Sequence, residues 1–179
     1  MDDEQIEADI TQAPGVCARA RDIKGSALIL GIGNRLLGDD GAGPCVLESL
    51  SGDDRISDDV RLVDGGTLSF TLLPLIEDAA LWIVVDAARW GAPPGTVSVL
   101  QGEAMDRFVA RRGAVSVHEV SISELMGMAR LGQGIPQRRA LVAIEPQHVD
   151  WADQPSPAVR NAIPRAADAV CRLLEEWLA

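Results

Sequence analysis

The chain has 179 residues and carries 27 acidic against 16 basic side chains, a formal net charge of −11. That length suits one well-packed core rather than two ordinary domains, and so acidic a balance argues against a surface that must concentrate Lys and Arg for nucleic acid. With 47% hydrophobic and 24% charged residues, the composition excludes a disordered or fibrous chain.

Residues 1–24 open MDDEQIEADI and are polar and acidic without sustained periodicity; they are expected to be a flexible tail before one α/β domain over residues 25–179. They lack the basic-then-apolar order of a signal peptide, and no apolar run approaches the roughly 20 residues that span a bilayer. A cytoplasmic protein with no membrane partner is expected. Cys17, Cys45 and Cys171 are odd in number and widely spaced, which suits free thiols in a reducing compartment.

Ala27 to Ile32 (ALILGI) is a continuous apolar run of the kind buried on both faces of a sheet, and predicts the first strand. After a glycine-rich turn, Val46, Leu47 and Leu50 recur at helical spacing, with Pro44 tolerable only in a first turn. Val60 to Val63 predicts a second strand, stopped by Asp64, Gly65 and Gly66, and Leu68 to Ile76 a helix with an early Pro74. Leu81 to Val85 (LWIVV) predicts the third strand, ending at Asp86. Thr96 to Leu100 predicts a fourth after the turn-rich GAPPG. A helix is expected over Ser123 to Leu131, with Ser121 and Glu124 spaced as a capping box, then a strand over Ala140 to Ile144. The last helical stretch begins at Ser156 and Pro157, and Pro164 should kink or divide it. Alternating strands and helices imply a three-layer α/β/α sandwich around a mostly parallel central sheet.

In such sheets ligands bind where loops converge at the carboxyl ends of the strands. GIGNRLLGDDGAG after the first strand delivers Asp39 and Asp40 beside a helix start; one of the two is expected to cap that helix, leaving the other to face the strand ends. A dinucleotide fingerprint fails, because G-x-G-x-x-G from Gly31 would need glycine where Leu36 stands and a carboxylate pair would repel a pyrophosphate. Asp86 ends an apolar strand, where a carboxylate is costly unless it meets a cation or donors. Asp64 is as readily explained as turn chemistry. Of two histidines, His118 in SVHEVSISEL lies between a basic loop and the capped helix, and His148 lies in the polar turn PQHVD. Two carboxylates and one imidazole suit a divalent metal of intermediate hardness. There is no H-E-x-x-H helix, and a Cys45–His118 thiol protease is disfavoured because Cys45 falls inside an apolar helix.

The blocks GIGNRLLGDDGAG, DGGTLSFTLLPLIED, IVVDAARWGAPPGTV and SVHEVSISELM, in this order, resemble those of the nickel-iron hydrogenase maturation endopeptidases. The resemblance covers roughly residues 27–165 and leaves the N-terminal tail without a counterpart. It implies a protease, classed as aspartic-type, that removes a C-terminal peptide from the nickel-loaded precursor of the hydrogenase large subunit. Asp40, Asp86 and His118 are then the metal-recognising and catalytic residues, with nickel supplied by the substrate rather than held permanently. Well-known members carry Glu at the position of Asp40, so the ligand here is one methylene shorter and Asp39 could share its role. A metal-dependent peptidase of the germination type and a nickel-sensing chaperone that does not cut are the competing readings.

Overall fold

The computed structural model describes residues 27–67, 70–110 and 122–179. Five strands, β1 (Ala27–Ile32), β2 (Val60–Gly66), β3 (Leu81–Ala87), β4 (Val97–Gln101) and β5 (Arg138–Ile144), form one sheet in the order β2-β1-β3-β5-β4. The first four in that order run parallel, as the βα alternation requires, while β4 pairs antiparallel with β5 at the edge. Five strands in a mostly parallel sheet meet the expected fold class.

The apolar runs of β1 and β3 are buried on both sides because helices cover both faces. Residues of one parity (Ala27, Ile29, Leu81, Ile83, Val85) pack with α1 (Ala42–Leu50) and α6 (Ile163–Leu178). Residues of the other parity (Leu28, Leu30, Trp82, Val84) pack with α2 (Leu73–Glu77), α3 (Glu103–Val109) and α4 (Ile122–Leu131). Each fully buried Leu or Ile contributes about 1.5–3 kcal/mol, so this two-sided burial is what holds the sheet. Helix α6 shows the matching one-sided pattern, burying Ala166, Ala169, Val170, Leu173, Leu174 and Trp177 at helical spacing.

Prolines set several boundaries where their ring dictates. Pro157 begins α5 (Pro157–Arg160), capped by Ser156 Oγ accepting from the Val159 amide, and Pro164 lies in the first turn of α6. The final helical stretch is thereby divided, as Pro164 predicts. The segment expected as a helix from Leu68 is, where described, a 3-10 turn at Phe70–Leu72 leading into a short α2 with Pro74 in its first turn. Helix α3 carries no sequence expectation: its apolar residues Met105, Phe108 and Val109 pack on the core, but a helix of 7 residues is too short to establish a helical period. Helix α4 begins as expected, but Ser121 of the proposed capping box lies outside the described residues, as does the tail over residues 1–24.

The chain leaves β1 to form β2 on one side and returns to form β3 on the other. The topological switch point therefore falls between β1 and β3, at whose carboxyl ends ligands bind in sheets of this kind.

Candidate active site between β1 and β3

The loop after β1 returns tightly over the strand ends, and its glycines make the approach possible. Gly33 has φ +136°, and a Cβ there would lie 1.7 Å from the Asp40 carbonyl oxygen. Gly43, in the first turn of α1, sits so close to the sheet that a Cβ would lie 2.2 Å from the Ile32 oxygen and 2.6 Å from that of Val85. Only hydrogen fits in either place. Since Gly43 follows Asp40 by three residues and Val85 directly precedes Asp86, this contact brings the two candidate loops together. The 3-10 turn Gly38–Gly41, which carries both first-loop acids, packs against β3.

Asp39 and Asp40 are both buried, at 0% and 1% exposure, and their side chains serve different ends. Asp39 takes the amide of Ser156 on Oδ1 at 2.5 Å, and on Oδ2 the amide of Gln147 at 2.7 Å, the Ser156 hydroxyl at 3.0 Å and the amide of His148 at 3.2 Å. It thus ties the loop between β5 and α5 to the first loop. Asp40 Oδ2 accepts from the amide of Asn34 at 2.8 Å, closing its own loop. The expectation that one of the pair caps the following helix is corrected: α1 has Gly41 at its N-cap and no side-chain cap. A 3-10 turn intervenes, so neither acid stands where a capping side chain would.

Asp86 is 2% exposed and lies within β3, one residue before its end at Ala87, so the strand runs past the Val85 where the sequence stops it. By strand alternation it shares the parity of Trp82 and Val84, the residues facing the layer that contains α4. His118 precedes α4 by four residues and lies outside the described residues, so the structure reports on two of the three proposed ligands. Among the described residues no group of three or more metal-binding side chains is gathered.

The other candidates have structural explanations. Asp64 is exposed and accepts from the Gly66 amide at 3.0 Å, an Asx turn. His148 is exposed and uses its backbone amide on Asp39. Cys45 lies in α1, and burial pushes its thiol above the usual value, with Arg35 opposing and Glu48 adding to the effect. A thiol so shifted is a poor nucleophile at neutral pH. Sequence reasoning passed over Glu145. This 5%-exposed carboxylate follows β5 and accepts from the amides of Trp90 and Ala92 at 2.9 and 3.2 Å, holding the loop that follows Asp86. The only signal was its place at the end of the apolar run ALVAI.

Comparison with known proteins agrees with this architecture. The family described as HycI, hydrogenase maturation protease, matches residues 44–173. The hydrogenase expression/formation protein HupD of Bradyrhizobium diazoefficiens is 32% identical over 151 residues, 84% of this chain and 78% of that protein. The hydrogenase 2 maturation protease of Escherichia coli is 28% identical over 151 residues, 83% of this chain and 90% of that one. Among solved structures, the hydrogenase maturating endopeptidase HybD from E. coli superposes with a TM-score of 0.77 at 27% identity, covering 84% of this chain and 93% of that one. A hydrogenase 2 maturation peptidase from a Thaumarchaeota archaeon gives 0.64 at 30% identity, covering 84% and 98%. The chain belongs to the hydrogenase maturation protease family and is a peptidase.

Proposed function

We propose that this peptidase removes a C-terminal peptide from the nickel-loaded large-subunit precursor of a nickel-iron hydrogenase, using Asp40, Asp86 and His118 to recognise the metal. The observation that carries the reading is the burial of two carboxylates, Asp40 in the 3-10 turn that packs against β3 and Asp86 near the carboxyl end of β3, beside the switch point. Carboxylates withdrawn from water at such a place are suited to receiving a cation. With the His118 imidazole they make an oxygen-rich set with one nitrogen, appropriate to a divalent ion of intermediate hardness. The nickel belongs to the substrate, and the three side chains hold the loaded precursor with its scissile segment nearby. Asp39, whose two oxygens already serve four donors, is the poorer ligand, which favours Asp40 in the first loop. No thiol nucleophile is needed. Unpaired thiols at Cys45 and Cys171 fit work in the cytoplasm.

The test incubates nickel-loaded and nickel-free precursor with the purified chain and measures the mass of the precursor's C-terminus. A shorter product is expected only with nickel, and failure to cut a loaded precursor that the chain binds would refute the reading. Asp86→Asn and His118→Ala should each abolish cutting with little change in melting, while Cys45→Ala should retain it; an inactive Cys45→Ala with an unchanged melting curve would restore a thiol mechanism.

A further inference from the structure

Two large apolar side chains stand exposed beside the candidate site on a backbone that is firmly held. Trp151 is 80% exposed and Leu36 55%. Their loops are joined by a parallel bridge between Leu37 and Ala152, with the Gly38 amide donating to the Ala152 oxygen at 3.2 Å and the Ala152 amide to the Leu36 oxygen at 3.1 Å. The bridge sets the two segments side by side, residue against residue. Leu37 and Ala152, the bridged pair, are part-buried, whereas Leu36 and Trp151, one residue earlier on each segment, are exposed. Beneath them Asp39 clamps the 147–156 loop to the turn that carries Asp40.

A lone exposed apolar residue has no special meaning, but an adjacent pair on a rigid support beside a candidate catalytic site does. Trp is the side chain most enriched at the energetic centre of protein interfaces. The flank of Trp151 is acidic, while Arg35 beside Leu36 is paired with Glu48. Asp150 and Asp153 on either side of Trp151 are exposed and make no ion pair among the described residues. The surface thus complements an apolar side chain with basic neighbours.

We infer that Leu36 and Trp151 form a docking platform for an apolar side chain of the precursor, with Asp150 and Asp153 attracting basic residues beside it. The inference rests on the proposed function for the identity of the partner. Binding to this platform brings the precursor's scissile segment to Asp40 and Asp86 without a cost for ordering the loop.

The experiment measures precursor binding and cutting separately, with the full chain and nickel-loaded precursor. Trp151 is the exposed tryptophan among four, so precursor binding should shift its emission to the blue and protect it from acrylamide. Trp151→Ala combined with Leu36→Ala should weaken binding and raise KM by ~10-fold or more, leaving kcat and melting temperature near wild type. Trp151→Phe should restore most of the affinity. Asp150→Asn with Asp153→Asn should weaken binding less and flatten its salt dependence. Wild-type binding by the double alanine variant would overturn the platform, as would concentration-dependent self-association that covers Trp151. A wild type that binds without cutting would overturn the protease reading while the binding comparison still decides on the platform; a wild type that neither binds nor cuts would overturn both.

Discussion

Removing the Asp39 carboxylate should be the costliest single change among the acids of the first loop. Asp39→Ala leaves four donors without their acceptor: the Ser156 amide and hydroxyl and the amides of Gln147 and His148. Gln147 and His148 are exposed, and their amides can turn to water. Ser156 is only 5% exposed, so its two donors stay dry. Two lost charge-assisted bonds at about 1.5–3 kcal/mol each give a net cost of roughly 3–5 kcal/mol. At roughly 2–4 °C per kcal/mol for a chain of this size, melting should fall by about 6–20 °C. Asp39→Asn should cost nearly as much, because its amide NH2 would confront donors. Urea unfolding followed by circular dichroism would measure the change at constant slope, and hydrogen exchange should rise across residues 146–156. Glu48→Ala is the control: its pair with Arg35 at 3.2 Å is solvent-exposed and contributes at most about 0.5–1 kcal/mol. Asp39 variants within ~0.5 kcal/mol of wild type would refute the assignment of a clamping role.

Three further outcomes follow from local geometry. Gly33→Ala places a methyl against the Asp40 carbonyl at a φ that side chains rarely adopt; a loss above about 3 kcal/mol and displacement of Asp40 are expected, read by unfolding and by precursor cleavage. Glu145→Gln retains an acceptor oxygen but loses its charge, so a cost of about 1 kcal/mol is expected, with faster exchange at the amides of Trp90 and Ala92 as the local signature. Asp106 accepts from Nε and Nη2 of Arg139, at 2.8 and 2.7 Å, and from Nη2 of Arg130 at 2.8 Å. The Arg139 hydrogen bonds hold its carboxyl below the usual carboxylate range. A carboxyl depressed in the folded state contributes stability that is present above about pH 4 and is lost as pH falls through the folded value. Asp106→Asn should therefore flatten the acid side of the stability curve below about pH 4 and leave its shape near neutrality unchanged.

The sheet was legible in the sequence because ALILGI and LWIVV can be buried only on both sides, and the alternation of such runs with helical spacing permits few architectures. Less local features were not. β4 reads as a strand, but its antiparallel direction depends on which neighbour it meets, and no residue within Val97–Gln101 encodes that. Helix α3, with 7 residues, is too short for its apolar spacing to announce it. At the site, Asp86 was legible as a charge ending an apolar strand. Glu145 presents the same signal at the end of β5, yet its partners are amides of the loop after β3, more than fifty residues away in sequence.

The adjacency of Asp39 and Asp40 shows most sharply why the sequence left the first-loop ligand open. Side by side in a strand they would point to opposite faces, and on a regular helix either could cap. In a 3-10 turn, with about three residues per turn, neighbours diverge by about 120°. That divergence sends Asp39 toward the β5–α5 loop and leaves Asp40 closing the loop of Asn34. Asp39 thereby joins the segment carrying Trp151 to the segment carrying Asp40. One carboxylate sets the spacing between the surface that receives the precursor and the acids proposed to meet its metal. The two neighbours should then separate experimentally, with binding read on nickel-free precursor so that contacts to the metal do not enter: Asp39→Ala should weaken binding and cutting as the loops part, whereas Asp40→Asn should suppress cutting of loaded precursor and leave binding through the exposed Leu36–Trp151 surface in place. Equal loss of binding in both variants would mean that the two loops move as one and that the division of roles is wrong.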